Sequence, residues 1–199
     1  MFRNDILWLL PALLLALIQV KLIWPCQPEF DEADTEMKGS NSEYDVLVFD
    51  YLQNVAYVLF IMQLFVPILL ISRNFAVIFS LKIIGYLLVM AGFIISLFAL
   101  NTLGNNWTGM TDYRIKKGQV LVQNGVYKIV RHPIYLAVIL EIVGYEFVAN
   151  SWFVIILTLC SIVIMNKQAN KEEELLTKKF GIEYQKYKSR TKKFIPFLY

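Results

Sequence analysis

The 199-residue sequence is poor in the side chains that bind metals or form disulfides. It contains one histidine, His132, and two cysteines, Cys26 and Cys160, which lie far apart along the chain. This set argues against a structural zinc site and lacks the spacing of a structural disulfide. The sequence also has no glycine-rich phosphate loop, no internal repeat and no Ser-His-Asp set, so any chemistry must use other residues.

Charge is also scarce, and apolar residues dominate the composition. Charged residues make up 18% of the chain and hydrophobic residues 57%, with a mean hydropathy of +0.53. Long apolar runs at residues 6–23, 51–71 and 75–100 reach the ~18 residues that can cross a bilayer. Because "PCQPEF" after the first run offers no small-residue cleavage site, we interpret that run as a retained helix. The sequence predicts an integral membrane protein with three full spans.

Two further apolar runs, residues 133–149 and 152–165, are shorter than the ~20 residues needed to cross the hydrocarbon core. They predict a short helical hairpin that turns at Asn150 and Ser151. The predicted fold class is therefore an all-α membrane protein of about five transmembrane helices, three full spans plus this hairpin.

The distribution of basic residues predicts the orientation in the membrane. Arg3, Arg73 and Lys82 lie on one side of the predicted spans, and the rest of the 19 Lys and Arg lie on the other. Basic residues near span ends stay cytosolic, which places the N-terminus outside. The acidic loop at residues 29–50, the segment 101–131 and the tail from residue 167 then face the cytosol. The acidic loop is low in apolar residues and is interpreted as a mobile connector.

The segment before the hairpin mixes polar, basic and aromatic residues. Within "GQVLVQNGVY" the alternation of apolar positions, closed by Asn124 and Gly125, predicts an extended piece and a tight turn. Pro133 suits the first turn of a helix, where its missing N–H is not needed, with His132 in the capping position. We expect the hairpin helix to begin there, at the membrane edge.

The tail predicts a C-terminal amphipathic helix. Leu176, Phe180, Tyr184 and Tyr187 share one helical face, and basic residues fill the rest. Such a helix is typical of a membrane-surface anchor. A second interpretation makes the tail part of a site, because a closed hairpin brings Arg131 and His132 near the glutamates at residues 172–174. Those glutamates could also form only a solvated acidic first turn of a helix.

Two motifs in this order resemble one enzyme family. "GVYKIVRHPIY", followed by "EEELLTKKFGIEYQKYKSRTKKFIP", resembles the isoprenylcysteine carboxyl methyltransferase family and its phospholipid methyltransferase relatives. The residues that match the family pattern are Gly125, Tyr127, Arg131, His132, Pro133, Tyr135, Glu172, Glu173, Leu175, Leu176, Phe180, Gly181, Tyr184, Tyr187 and Pro196. The resemblance covers roughly residues 103–196. Together with the apolar runs, it predicts one domain over residues 1–199, with three spanning helices in 1–100 and a cofactor-binding catalytic region in 101–199.

The resemblance implies S-adenosylmethionine as the methyl donor and S-adenosylhomocysteine as the product. The implied cofactor contacts are Gln119, Val120, Leu121, Val122, Tyr127, His132, Pro133, Ile134, Tyr135 and Glu172. Tyrosine faces can attract the sulfonium, a glutamate can bind a ribose hydroxyl or the ammonium, and backbone groups can bond the adenine. Arg131 and Glu173 are the implied catalytic candidates.

One position departs from the family pattern. Family members commonly place a substrate-binding arginine four residues before the first cofactor glutamate, and this chain has Gln168 there. Glutamine cannot form the charged bidentate clamp of arginine, although Lys167, Lys171 or Arg131 could substitute. The implied partners are the lipid bilayer and a lipophilic or prenylated substrate, small molecule or protein, with no nucleic acid.

Several functions stay open on these residues. The leading one is carboxyl methylation of an isoprenylated cysteine or a similar lipophilic acceptor. A second keeps the methyl donor but uses an amine, a thiol or a phospholipid headgroup as the acceptor. A nicotinamide-dependent membrane reductase and a non-catalytic scaffold are the remaining alternatives.

Glu141 and Glu146 lie inside the first hairpin run. An intramembrane carboxylate is a candidate functional residue, and the alternatives are an interhelical hydrogen bond or a hydrated helix end. Helical spacing puts Glu146 near the face of His132 and Tyr135, and Glu141 roughly opposite.

Overall fold

The computed structural model describes residues 35–38, 70–108 and 114–195, with isolated helical positions before residue 63. Two predicted spans, residues 6–23 and 51–71, therefore lie almost entirely outside the described residues. The described part contains helices α1 (Phe75–Leu103), α2 (Pro133–Val148), α3 (Phe153–Phe180) and α4 (Ile182–Arg190), and strands β1 (Thr35–Lys38) and β2 (Arg114–Lys116).

Helix α1 corresponds to the third predicted span. Asn74 caps its start by accepting hydrogen bonds from the backbone N–H groups of Ala76 and Val77. The helix ends at Gly104, whose φ of 51° lies in the left-handed region. Over its 29 residues the helix is long and apolar enough to cross a bilayer, as is α3. The third predicted span is thus present and runs three residues further than the apolar pattern indicates.

Helices α1 and α2 approach closely along a line of glycines. A Cβ atom added to Gly85 would lie 2.6 Å from the carbonyl oxygen of Gly144, and one added to Gly144 would lie 2.6 Å from that of Gly85. A Cβ at Gly92 would meet the carbonyl oxygen of Ala137 at 2.7 Å. Small residues at these positions let the two backbones touch, which is a common way for helices to pack in membranes.

The predicted hairpin is confirmed, with its turn at the expected place. Helix α2 ends at Val148 and α3 begins at Phe153, with Asn150 at a φ of 55° between them. The Asn150 side-chain amide donates to the Ser72 carbonyl at 2.7 Å, and its oxygen accepts from the Ser72 N–H at 3.2 Å. This pairing fixes the hairpin tip against the segment that leads into α1.

The second arm of the hairpin is longer than predicted. The apolar run ends at Met165, but α3 continues without a break to Phe180, for 28 residues in total. The polar residues that follow Met165 are mostly good helix formers, so they extend the same helix beyond its apolar part. The glutamates at residues 172–174 therefore lie in the C-terminal third of α3, far from its first turn. Their interpretation as an acidic first turn is wrong.

Strands β1 and β2 correct two further expectations. They pair antiparallel, with Met37 opposite Ile115, so the fold is not purely helical. Met37 also packs against the buried Ile115 and Leu175, and Glu36 forms an ion pair with Lys179 of α3. This part of the acidic loop is therefore docked rather than a mobile connector. It lies on the same side of the predicted membrane spans as β2 and the end of α3, as the charge distribution predicts.

The tail is two helices rather than one. Helix α3 stops at Gly181, whose φ of 52° ends the helix, and α4 starts directly after it. Tyr184 and Tyr187 of α4 are both buried in the protein. The prediction that these tyrosines anchor a surface helix in the membrane is therefore wrong. After α4 the chain returns beside the start of α2, where the N–H groups of Arg131 and His132 donate to the carbonyls of Lys192 and Lys193.

Candidate active site

An open cleft lies where α3, α4 and the start of α2 meet the segment after β2. Its walls come from four separate stretches of chain. The lining residues are Leu103, Asn106, Trp107, Thr108, Arg114, Ile115, Gln119, Val120, Leu121, Val122, Tyr127, Arg131, His132, Pro133, Ile134, Tyr135, Glu172, Leu175, Leu176, Tyr184 and Tyr187. All ten residues that the resemblance implies as cofactor contacts are among them.

Local hydrogen bonds explain how the sequence builds the first wall. The Gln119 side-chain oxygen accepts from the Lys116 N–H at 2.9 Å, and the Val120 N–H donates to the Asn106 side chain at 3.0 Å. A short 3-10 turn, Gly125–Lys128, then places Tyr127 in the cleft, where the sequence predicts a tight turn. These bonds fix residues 119 and 120 where the chain runs along the cleft.

The second wall is the start of α2, which confirms the predicted helix boundary. His132 is the N-cap residue and Pro133 the first residue of the helix. The His132 ring stacks on the Tyr135 ring with centroids 5.3 Å apart, and Phe194 packs against both. The segment that returns after α4 thus covers the back of this wall.

His132 lies between two carboxylates of α3. Its Nδ1 is 3.4 Å from Glu172 Oε2 and its Nε2 is 3.2 Å from Glu173 Oε1. A carboxylate can only accept, so both ring nitrogens are satisfied when the imidazole carries two protons. Burial alone disfavours that charge, but the hydrogen bonds and charges of the two glutamates outweigh it, and the pKa of His132 is raised above 6.5.

Glu172 is the carboxylate that faces the cleft. Its side chain is 44% exposed. Its Oε2 atom contacts His132 and also accepts a hydrogen bond from the Tyr135 hydroxyl at 3.2 Å. Tyr135 and His132 thus orient Glu172 through Oε2, and the other carboxylate oxygen takes part in neither bond. An acceptor oxygen held in this way can bind a hydroxyl or an ammonium group.

Arg131 and Glu173 form a buried polar junction beside the cleft. Besides His132, Glu173 accepts from Arg131 Nε at 2.8 Å and from Lys188 Nζ at 2.7 Å. Arg131 Nη1 also donates to the carbonyls of Thr191, at 2.5 Å, and Lys188, at 3.2 Å. Arg131 lines the cleft, whereas Glu173 does not. Both residues tie α3, α4 and the start of α2 together.

The structure does not bring Gln168 into the cleft lining. Gln168 is on α3, one turn before Glu172, and is 7% exposed. Its buried amide oxygen has no hydrogen-bond partner among the described residues. Glu141 and Glu146 of α2 also lie outside the cleft and are buried. The close approach of Glu141 to Gly92 shows that it faces α1.

Several polar residues at or near the cleft were missed at the level of sequence. Trp107, Arg114 and Tyr184 line the cleft, and Lys193 is buried behind it, where it donates to the side chains of Asn166 and Asn170 at 2.6 Å each. The available signals were the polar stretch "LGNNW" at residues 103–107 for Trp107 and the aromatic periodicity of the tail for Tyr184. No local pattern in the sequence pointed to Lys193.

Comparisons with known proteins agree with this architecture. A curated relative from Oryza sativa subsp. indica, "Probable protein-S-isoprenylcysteine O-methyltransferase", is 28% identical over 116 residues, 58% of this chain and 61% of that protein. The "Protein-S-isoprenylcysteine O-methyltransferase" of Dictyostelium discoideum is 29% identical over 126 residues, 59% of this chain and 50% of that protein. This chain thus matches about half to three fifths of the length of these relatives.

A solved structure shows a similar fold. The eukaryotic intramembrane Ras methyltransferase ICMT (isoprenylcysteine carboxyl methyltransferase) superposes with a TM-score of 0.61 at 21% identity, covering 90% of this chain and 60% of that one. The family model for phospholipid methyltransferase matches residues 80–183, which is more than half of the chain and includes the first motif and the first half of the second. The chain therefore belongs to the phospholipid methyltransferase family, which agrees with the resemblance found in its sequence.

Proposed function

We propose that this chain is an integral membrane methyltransferase that uses S-adenosylmethionine to methylate a lipophilic acceptor at the cytosolic membrane face. The observation that supports this most directly is the convergence of ten residues from three stretches of chain, 119–127, 132–135 and Glu172, on one cleft. The cleft lies on the side where the basic residues concentrate, which supports the cytosolic orientation.

The cleft has the chemistry that this methyl donor needs. A sulfonium is a cation, and the rings of Tyr127 and Tyr135 offer aromatic faces that attract cations. Glu172 offers an oriented carboxylate oxygen for a ribose hydroxyl or an ammonium group. The backbone at residues 121 and 122, which line the cleft, offers N–H and C=O groups to a purine edge.

In this mechanism the bound methyl donor supplies an electrophilic methyl group, and the chain supplies orientation. Direct displacement needs the nucleophile and the methyl carbon held in line, which is a positioning task. The His132 imidazolium fixes Glu172, and Glu173 and Arg131 fix His132 and the end of α4. We therefore propose that Arg131 and Glu173 act as positioning residues that hold both walls of the cleft in place.

Two acceptor classes remain within this proposal. The relatives' names support an acceptor shaped like an isoprenylated cysteine, whose carboxylate would be the nucleophile. Two observations support a phospholipid headgroup or another amine as the second candidate. One is the neutral Gln168 in place of arginine, and the other is the match to the phospholipid methyltransferase family.

A binding comparison tests the cofactor. The wild-type protein purified in detergent should bind S-adenosylhomocysteine. The Tyr135→Ala variant should lose this binding, because the cleft loses an aromatic ring and the hydroxyl that orients Glu172. Binding of NADPH without binding of S-adenosylhomocysteine would support the reductase alternative and overturn the proposal.

The acceptor is tested by the stability of the product. With a donor labelled on the methyl group and a farnesylcysteine analogue, base-labile label indicates a carboxyl ester, and base-stable label indicates an amine or thiol product. Gln168→Arg should raise carboxyl methylation about tenfold if the missing clamp limits it. Gln168→Met, which has similar size and no charge, is the matched control. Equal activity of the two variants would show that residue 168 does not select the carboxylate.

A further inference from the structure

Tyr184 carries a hydroxyl group that the described part of the chain leaves unpaired. The residue is 1% exposed and lines the cleft from α4. Its hydroxyl has no hydrogen-bond partner among the described residues. A buried hydroxyl without a partner is unfavourable, and native proteins tolerate few such groups. A tyrosine at this position is therefore explained best by a partner that the ligand brings.

The neighbouring Tyr187 shows what a purely structural tyrosine looks like in the same helix. It also lines the cleft and is buried, but its hydroxyl donates to the carbonyl of Tyr127 at 2.7 Å. That bond ties α4 to the 3-10 turn at the cleft. The two tyrosines thus differ in whether the hydroxyl has a partner among the described residues.

Trp107, from a different stretch of chain, provides a second, independent observation at the cleft. Trp107 lines the cleft. Its indole Nε1 is buried and has no hydrogen-bond partner among the described residues. An indole N–H can only donate. Two residues, one on α4 and one after α1, thus line the same cleft and carry donors without an acceptor in the described part of the chain.

The charges around Tyr184 indicate which acceptor it meets. Burial, followed by the negative charges of Glu173 and Glu172, raises the pKa of Tyr184, so the hydroxyl keeps its proton and can donate. The same charges disfavour an anionic acceptor beside it. A neutral oxygen that can also donate to Glu172 suits both residues, and a ribose hydroxyl has this property.

We propose that the Tyr184 hydroxyl binds a ribose hydroxyl of the methyl donor, together with Glu172, and that the Trp107 N–H binds a second acceptor of the same nucleoside. This inference rests on the proposed function and adds two binding residues to it. The cofactor contacts implied by the family resemblance include neither residue.

The test compares Tyr184→Phe with Tyr187→Phe in calorimetric titrations of the purified 199-residue chain. Tyr184→Phe removes only the unpaired hydroxyl, so its melting temperature without ligand should be unchanged or higher. Its affinity for S-adenosylhomocysteine should fall about three- to tenfold, the effect of one neutral hydrogen bond. Tyr187→Phe removes a bond within the protein and should lower the melting temperature by about 2–4 °C.

A second ligand locates the contact. 5′-Methylthioadenosine retains the ribose and adenine but lacks the amino-acid carboxylate, so Tyr184→Phe should weaken its binding by a similar factor. Trp107→Phe should weaken both ligands as well. If Tyr184→Phe weakens only S-adenosylhomocysteine, or leaves both affinities unchanged while the wild type binds both, the inference is wrong. Failure of the wild type to bind either ligand would instead overturn the proposed function.

Discussion

His132 is the only histidine in the chain, and both of its ring nitrogens face glutamates of one helix. Its place at the start of α2 follows from Pro133, a boundary that the sequence shows clearly. Its partners do not follow from the sequence, because Glu172 and Glu173 come about 40 residues later. The sequence predicts only that His132 approaches the glutamates if the hairpin closes. The structure shows that each ring nitrogen of His132 faces one of these two glutamates.

The single histidine allows a direct titration. Because its folded pKa is raised, we expect its imidazole resonances to titrate above pH 6.5. A raised pKa means that the imidazolium contributes stability at low pH, and that this contribution is lost as the pH rises through the folded pKa. The thermal stability should therefore fall over that range. NMR with histidine-selective labelling measures the first effect and melting curves the second.

Glu173→Gln should lower the titration midpoint of His132, since it removes one of the two carboxylates. Glu174→Gln is the matched control, because this neighbouring glutamate is exposed and pairs only with Lys178 among the described residues. Equal midpoints in the wild type and Glu173→Gln would contradict the account of the buried charge.

At the scale of elements, the contact between α1 and α2 depends on glycines that no sequence motif identified. The apolar runs predicted both helices, but they do not show which faces meet. That information lies in the backbone approach at Gly85 and Gly144, where a side chain has no room.

Gly85→Ala should therefore destabilise the protein by about 1–3 kcal/mol, because the added methyl overlaps a carbonyl oxygen of α2. Thermal unfolding in detergent measures the change. Ile84→Val, a change of similar size at an exposed neighbouring position, is the control and should have little effect. If both variants melt like the wild type, the helices do not pack as described.

Strand β1 is the element that local sequence patterns missed most completely. Its segment is polar and short, so only its pairing with β2 and the contact of Met37 with Ile115 and Leu175 define it. Both of those residues line the cleft. The strand thus supports one wall of the site from outside.

Met37→Ser should weaken the binding of S-adenosylhomocysteine about fivefold, since it removes ~1 kcal/mol of apolar contact behind the cleft. Glu36→Gln, which changes a more exposed ion pair in the same strand, should have a smaller effect. A larger loss in Glu36→Gln than in Met37→Ser would show that charge, not packing, docks the strand.

For the whole molecule, the sequence predicted the membrane class, the hairpin and the side on which the polar segments gather. These features follow from hydropathy and charge, which act over long stretches and leave strong patterns. The continuous α3, the break at Gly181 and the return of residues 191–194 beside α2 follow from tertiary contacts. Lys193, held by Asn166 and Asn170, is an example that no local pattern reveals.

The predicted orientation can be tested with two single cysteines in a background that carries Cys26→Ser and Cys160→Ser. In right-side-out membrane vesicles, a membrane-impermeant thiol reagent should label Arg73→Cys and should label Ser189→Cys only after the vesicles are opened. Both positions are exposed and lie at opposite ends of the described helices. Labelling of Ser189→Cys in sealed vesicles would reverse the orientation and place the cleft outside the cell.

The central claim, that the cleft beside His132 binds the methyl donor through Glu172, is tested most directly by titrating the purified protein with S-adenosylhomocysteine. We expect saturable binding by the wild type and by Glu174→Ala, and a loss of at least about tenfold in affinity for Glu172→Ala, whose carboxylate faces the cleft. Equal affinity of Glu172→Ala and Glu174→Ala, or no binding by the wild type, would contradict the claim.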